Sequence, residues 1–479
     1  MYATPQGPWI PEFDDKEMEM KMTLKPSVLA VLALGLVAGG TAFAKASPDE
    51  VEKLGKTLTC TGGEKAGTAS GVPEYTGKWL GTPPGIDYKP HVGQHPVDPY
   101  KDEKPLFTIT AENLSQYAER LTEGQKAMFA KYPKTYRMPV YQGHRDFRFP
   151  DSVCESAKKN ALNAVVAADG LSVENAVKGA LPFPIPKTGA ELTFNNLLPF
   201  RTFNEDTIRD NANVLSDGTI AWGRAWNRSM SLMNAPDEAG KPTAGLMAQG
   251  MNATILPERE KGTVGVNAEP VNFAKDKRLQ WTYDPGTRRV RQVPEYGFDQ
   301  PMPGTGGKMT IDQDRLFNGS PIRYNWKAVG KREVYVPANA YKIHANTVKY
   351  ADLLKPGHAN PDFMRYELRR VWVLEATLKE GFRHMFTKRV LFLDEDTGQA
   401  LVSDYYDARG QLWQHGLINH YYAFDANTFH AGTSFYYDLN SGGYLAYNLF
   451  QERPKGPVLN KGDLTPSMFT PEAARNTGT

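Results

Sequence analysis

The sequence after Phe200 consists of short runs of β-branched and aromatic residues, separated at short intervals by turn-forming residues. Turns of this kind lie at 216–218, 284–286, 394–398, 407–410 and 440–443. Strands joined by short turns pair antiparallel, so the pattern predicts one large, curved antiparallel sheet. The clearest hairpins are expected at 279–293, 371–393 and 391–406. The 43 glycines and 35 prolines fit such a sheet better than a helical bundle.

Helices are expected before the sheet. Apolar residues recur at helical intervals over 110–130, and two further helices are predicted over 154–168 and 189–198. Packed against one face of the sheet, these helices would give an α+β fold. The predicted organisation is an N-terminal extension with a signal peptide (1–44), a long extended Gly/Pro-rich segment (45–105), an α+β domain (106–460) and a C-terminal tail (461–479).

The N-terminal region has the pattern of a secretory signal. Lys21 and Lys25 precede an apolar run at 28–38, and the small residues Ala42 and Ala44 follow it. Cleavage is expected after Ala44, which would leave a soluble periplasmic protein without a transmembrane segment. Peripheral attachment to the outer membrane is left open. Residues 1–19 are acidic, unlike the start of a signal peptide, and whether they are translated is also open.

Both cysteines, Cys60 and Cys154, lie in the expected mature chain. Two thiols in an oxidising compartment are expected to form a disulfide. Two separate buried thiols are the alternative. A bridge would tie the extended segment to the start of a helix.

Several functional classes are excluded by charge or motif. The formal net charge of +2 leaves no basic excess for nucleic acid. Gly55-Lys56-Thr57 ends like a phosphate-binding loop, but Glu50 stands where that loop requires its first glycine. There is no Gly-x-Ser-x-Gly motif, and His91 with His95, or the run at 394–396, makes only a weak metal pattern. We therefore predict no catalytic residue, metal site or cofactor.

The strongest remaining feature is apolar patterning on two strands. Over 371–379, Trp372 and Leu374 share one face while Val371 and Val373 share the other, and the run 390–393 is apolar on both faces. One face can pack against helices. The second face requires either another protein layer or an apolar ligand, and the sequence leaves both open.

Several segments resemble a known superfamily. Residues 281–291, 389–398 and 404–410 are similar to the sheet hairpins of the LolA/LolB-like lipoprotein carriers. Nearly the whole mature chain resembles a long branch of exported proteobacterial proteins of unknown function, sometimes labelled outer-membrane lipoprotein-sorting proteins. The resemblance to that branch includes the segments 58–59, 63–67, 102–109, 124–126, 182–187 and 325–327. At Cys60 this chain departs from the branch, where proline is common.

The resemblance implies a half-barrel with helices on its concave side and a hydrophobic concavity that shields acyl chains. The expected function is that of a periplasmic carrier or chaperone for a lipid, a lipoprotein acyl chain or another apolar compound. An envelope exporter or an outer-membrane protein is the expected partner. A structural role, in which the protein bridges an exporter to the outer membrane, overlaps with the carrier function. The alternative is a periplasmic hydrolase of envelope lipid or glycan. The residues expected to line the concavity are Trp281, Tyr283, Trp372, Leu374 and Phe392.

Overall fold

The computed structural model describes residues 45–293 and 297–478. The expected signal peptide and the open question of residues 1–19 lie outside this range. The helices are α1 (Pro48–Val51), α2 (Glu123–Lys131), α3 (Asp151–Asn163), α4 (Gly189–Leu197), α5 (Tyr350–Leu353) and α6 (Pro471–Gly478). Among the helices of the described residues, none is long and apolar enough to cross a membrane.

The strands are β1 (Phe107–Ile109), β2 (Met138–Val140), β3 (Val165–Val166), β4 (Val173–Glu174), β5 (Asn204–Val214), β6 (Ile220–Ser231), β7 (Leu246–Leu256), β8 (Val264–Pro270), β9 (Leu279–Asp284), β10 (Arg289–Gln292), β11 (Tyr324–Pro337), β12 (Tyr366–Leu378), β13 (Lys388–Asp394), β14 (Ala400–Tyr406), β15 (Leu412–Ala423), β16 (Thr428–Asp438), β17 (Tyr444–Leu449) and β18 (Val458–Leu459).

One sheet contains sixteen of the strands found in the described residues. Its order is β1-β2-β12-β13-β14-β15-β16-β17-β5-β6-β7-β8-β9-β10, with β11 also paired to β12 and β18 to β5. The pairing is antiparallel except between β2 and β12. The large antiparallel sheet with helices against it is therefore confirmed, as are the three predicted hairpins.

The sheet curls along its β11–β15 part. The backbone N–H of Ala340 donates a hydrogen bond to the carbonyl of His420 in β15, at 2.8 Å. In a flat sheet, β11 and β15 would lie four strand spacings apart, about 19 Å. Ala340 is the third residue after the end of β11, a distance of about 10 Å at full extension. Curling of the sheet brings the two strands within that reach.

Helices cover both faces of the strongly apolar strands β12 and β13. Met128 and Phe129 of α2 pack in one core with Val373 of β12. Leu192 and Phe194 of α4 pack in a second core, which lies on the opposite face. Both faces of these two strands are thus covered by protein.

The segment 45–105 is fastened to the rest of the chain by covalent and ionic contacts. Cys60 and Cys154 form a disulfide, with the sulfur atoms 2.10 Å apart, and this bond joins the segment to α3. Arg370 donates hydrogen bonds to the carbonyls of Glu64 and Ala66. At the other end of the chain, α6 packs against β8 and β9.

Candidate functional site

The five residues expected to line a concavity lie in three separate cores. Trp372 and Leu374 contribute to the core beneath α4, and Phe392 contributes to the core beneath α2. Trp281 and Tyr283 belong to a third core. The structure therefore does not bring these five residues together.

Strand register explains the separation. Phe392 pairs with Val373, whereas Leu374 pairs with Leu391, so Phe392 and Leu374 point to opposite faces. Trp281 pairs with Val266 of β8, on the face of the sheet that α6 covers. Ala474 of α6 is fully buried in that core. These side chains stabilise the fold and leave no common space for a ligand.

A cavity of about 240 Å³ lies elsewhere, where β5–β8 face β15–β17. We call it the inner cavity. It exceeds the ~150 Å³ apolar cavity that admits benzene. Side chains on its polar wall include Glu205, Arg209, Asn227, Ser229, Asn252, Asn267, Glu269 and Arg278. The opposite wall carries the apolar side chains of Met302, Ile311, Ile418, Ala431 and Tyr447, together with the polar side chains of Arg315 and His430.

The polar wall results from the register of four neighbouring strands. Glu205 pairs with Ser229, Ser229 with Gly250, and Gly250 with Asn267, so one row of polar residues and glycine crosses the sheet. A Cβ atom at Gly250 would lie 2.7 Å from Oδ1 of Asn267, so a larger residue there would displace the Asn267 side chain. The alternate residues of β7 and β8, such as Met251 and Val266, point into the core beneath α6. The opposite face of β5–β8 is polar and open to the cavity.

Two ion pairs neutralise part of the charge on this wall. Arg209 pairs with Glu205, and Nε of Arg278 lies 2.7 Å from Oε1 of Glu269. Burial raises the pKa of Glu269, although the Arg278 guanidinium opposes the shift. Burial likewise raises the pKa of Asp314, which lies nearby. Glu269 and Asp314 are therefore desolvated, and nearby arginines favour their charged forms.

His430 of β16 lines the inner cavity as a neutral side chain. It is 7% exposed, and its Nε2 atom has no hydrogen-bond partner in the described residues. Nδ1 lies 3.3 Å from the hydroxyl oxygen of Thr202. Burial lowers the pKa of His430 to about 4; the Glu205 carboxylate opposes this shift, and Arg209 and Arg315 reinforce it. An unpartnered nitrogen in a cavity wall is available to a ligand.

Arg315 enters the cavity from the short helix Ile311–Leu316. Its backbone is left-handed (φ +51°, ψ +34°), and Leu316 also has a positive φ of +67°. Each such residue other than glycine costs on the order of 1–3 kcal/mol and persists only where the surroundings enforce it. Burial lowers the pKa of Arg315. About a third of its side-chain surface, 35%, remains free, and we take this surface to face the cavity because Arg315 lines it.

Other buried charges are occupied by structural partners. Arg145 and Arg369 bind Asp396, so the carboxylate run 394–396 is held by arginines. His415 Nδ1 lies 2.8 Å from Oδ1 of Asp404, and Asp404 also accepts a hydrogen bond from the N–H of Gly124 in α2. Within the described residues, no group of three or more His, Cys, Asp or Glu side chains is placed to hold a metal ion.

Sequence reasoning missed the inner cavity because it searched for apolar strands. The sequence of β5 and β6 carries only a weak signal, the polar residues Glu205, Thr207, Arg209, Asn227 and Ser229 at alternate positions. Asp206 and Arg228 lie between them, so the pattern does not show which face is the polar one. Whether that face lies in solvent or around a cavity depends on the curvature of the sheet and on residues 298–318, which sequence alone does not place.

Comparison with known proteins defines the family. Residues 108–475 match the family described as a protein of unknown function, DUF1329, and the chain belongs to it. The predicted membership in a family of unknown function is thereby confirmed. An uncharacterized protein from Pseudomonas aeruginosa is 37% identical over 449 residues, which cover 94% of this chain and 97% of that protein.

Solved structures give more distant likenesses. A DUF1329 family protein from Desulfovibrio piger is 11% identical, with a TM-score of 0.41 over 60% of this chain and 95% of that one. A putative outer membrane lipoprotein-sorting protein domain from Vibrio parahaemolyticus is 15% identical, with a TM-score of 0.39 over 57% and 91%. A LolA superfamily protein from Nitrosomonas europaea is 11% identical, with a TM-score of 0.35 over 60% and 98%.

Proposed function

We propose that this protein is an exported carrier that holds a small amphiphilic molecule in the inner cavity without turning it over. The observation that carries the proposal is the contrast between the two walls. Asn, Ser, Glu and Arg side chains from β5–β8 form one wall, and Met302, Ile418 and Tyr447 contribute to the other. A ligand that satisfies both walls has a polar head and an apolar body.

This ligand is smaller and more polar than the lipid, lipoprotein acyl chain or other apolar compound that the resemblance implies. An apolar molecule would shield the hydroxyl of Ser229 and the guanidinium of Arg315 from water, although neither side chain forms a hydrogen bond within the described residues. Each unsatisfied buried group costs about 1–3 kcal/mol, so such a molecule would be disfavoured. The volume of about 240 Å³ suits a headgroup and a short chain rather than an entire lipid.

The proposed location is the periplasm, reached through the signal peptide read from residues 21–44. An envelope exporter or an outer-membrane protein is the proposed partner that delivers or receives the ligand. Both proposals rest on the sequence and on its resemblance to the LolA/LolB-like lipoprotein carriers.

Binding is tested by isothermal titration calorimetry with 1-octanol and octanoate, using the mature chain. Ser229→Phe places a ring in the cavity and is expected to abolish binding. Ala221→Phe, at an exposed position of the same strand, is the matched control and should bind as the wild type does. Circular dichroism checks that both variants fold. Absence of binding by the wild type, or equal binding by Ser229→Phe, would contradict the proposal.

A hydrolase of envelope lipid or glycan is the second candidate. The observation that favours it is the raised pKa of Glu269 and of Asp314, since a carboxylic acid that stays protonated can act as a general acid. Incubation with an octyl glycoside and with an octanoate ester, followed by mass spectrometry, decides between the two. The carrier account predicts that both compounds are recovered intact. Cleavage that is lost in Asp314→Asn would establish the hydrolase.

A further inference from the structure

The guanidinium of Arg315 lacks the carboxylate partner that a desolvated arginine normally has. Its closest carboxylate oxygen is Oδ2 of Asp314, at 3.7 Å from Nη2, which is beyond hydrogen-bond distance. Among the described residues, no other side chain and no carbonyl accepts a hydrogen bond from it. Arg209 and Arg278, by contrast, each form an ion pair at the cavity wall.

Hydrogen bonds from two strands, β14 and β16, hold the turn that contains Arg315. The hydroxyl of Tyr405 in β14 donates to the carbonyl of Leu316 at 2.8 Å. The hydroxyl of Tyr436 in β16 donates to the carbonyl of Gln313 at 2.7 Å. Both tyrosines are buried, so two strands fix the carbonyls on either side of Arg315. The left-handed backbone is thereby enforced, and the side chain is directed to the cavity.

The described lining of the cavity contains more guanidinium groups than carboxylates to balance them. Arg201 donates from Nε to the hydroxyl oxygen of Ser231, a neutral acceptor. His430 is neutral, and its Nε2 has no hydrogen-bond partner in the described residues. Arg209, Arg228 and Arg278 each form an ion pair, which leaves Asp314 as the remaining carboxylate of the described lining for Arg201 and Arg315. A buried positive excess favours a ligand that brings negative charge.

We propose that Arg315 is the anchor for an anionic headgroup, a carboxylate or a phosphate, of the amphiphile in the inner cavity. This inference rests on the proposed function. A guanidinium has two parallel N–H groups, and a carboxylate or phosphate can accept a hydrogen bond from each of them at once. His430 lies on the same wall and supplies a further contact to the head through Nε2. The apolar body of the ligand then extends along Met302, Ile418 and Tyr447.

The experiment compares octanoate, octyl phosphate and 1-octanol by calorimetry at pH 7.5. Wild-type protein is expected to bind at least one of the anions tenfold or more tightly than it binds 1-octanol. Arg315→Asn should remove that preference and leave the affinity for 1-octanol within a factor of three. Asparagine tolerates a left-handed backbone, and Arg315→Gly, which adopts it freely, is the second variant. The tighter of the two anions identifies the headgroup as carboxylate or phosphate.

Arg288 provides a matched control. It is an arginine with a φ of +55° in an exposed turn, so Arg288→Asn makes the same substitution on the same backbone conformation away from the cavity. It should retain the anion preference in full. If 1-octanol binds as tightly as both anions, or if Arg315→Asn and Arg315→Gly keep the preference, the anchor is refuted while the carrier function stands. If none of the three compounds binds to the wild type, the carrier function fails and the anchor fails with it.

Discussion

Acid should destabilise this protein through His420, and the size of the effect follows from the structure. His420 lies in β15, is 4% exposed, and has an Nδ1 atom without a partner in the described residues. Burial lowers the pKa of His420 to about 3, with the charges of His430 and Arg315 acting in the same direction. In the unfolded chain, a histidine has a pKa of about 6.5.

The direction of the pH effect on stability follows from this difference between the pKa of His420 in the folded and in the unfolded chain. Between pH 6.5 and pH 3 the unfolded chain binds a proton at His420 that the folded chain does not bind, so acid favours unfolding. The stabilising contribution is complete above pH 6.5 and is lost progressively as the pH falls toward 3. Between pH 7.5 and pH 5.0 the loss from His420 alone is about 2 kcal/mol, because each pH unit below 6.5 costs about 1.36 kcal/mol.

The assay is urea unfolding of the wild type and of His420→Gln at both pH values. Each protein is compared with itself, so a packing loss common to both pH values cancels. The variant is expected to lose about 2 kcal/mol less stability than the wild type between pH 7.5 and pH 5.0. The neighbours His430 and His344 remain in both proteins and add the same acid sensitivity to each. Equal losses in the two proteins would refute the assignment of a buried, neutral His420.

Three further results are expected. Phe392→Ala should lower the free energy of unfolding by about 3–5 kcal/mol, since the ring is 3% exposed in the core beneath α2. Octanoate binding should be unchanged, and weakened binding by the folded variant would show that Phe392 contacts the ligand. Thiol titration under denaturing, non-reducing conditions should find no free thiol, because Cys60 and Cys154 are bridged, and two thiols per chain would contradict this. N-terminal sequencing of the exported form should begin near Lys45, and retention of residues 28–38 would exclude cleavage.

The sheet was predictable because its turns are local. The Asp-Pro-Gly turn at 284–286 and the run at 394–398 join strands that are adjacent in sequence, and the pairing of Tyr283 with Val290 follows from the turn. The pairing of β17 with β5 joins segments more than 200 residues apart and has no local signal. This contact places the polar strands β5–β8 opposite β15–β17 and so forms the cavity.

The helices show where local reasoning is limited. The expected helix over 110–130 is an α-helix only from Glu123, because Leu121 is extended and Thr122 starts a new helix through a capping box with Gln125. The helix expected over 154–168 ends at Asn163, since Val165 and Val166 pair with Val173 and Glu174 instead. Apolar periodicity predicted that helices exist, but capping and β-branched residues decided where they end.

The candidate site was less predictable than the fold. Trp372 and Phe392 were expected to share a cavity, yet a one-residue difference in register places them on opposite faces. Arg315 carries no motif, and its left-handed backbone depends on hydrogen bonds from Tyr405 and Tyr436, which are distant in sequence. Interactions of this kind become visible only once the strands are assembled.

The most direct measurement is a crystal structure of the mature protein with 8-bromooctanoate, located by the anomalous scattering of bromine. The account predicts a carboxylate within hydrogen-bond distance of the Arg315 guanidinium and a bromine peak beside Met302 and Tyr447. A bromine peak outside the inner cavity, or a carboxylate turned away from Arg315, would contradict it.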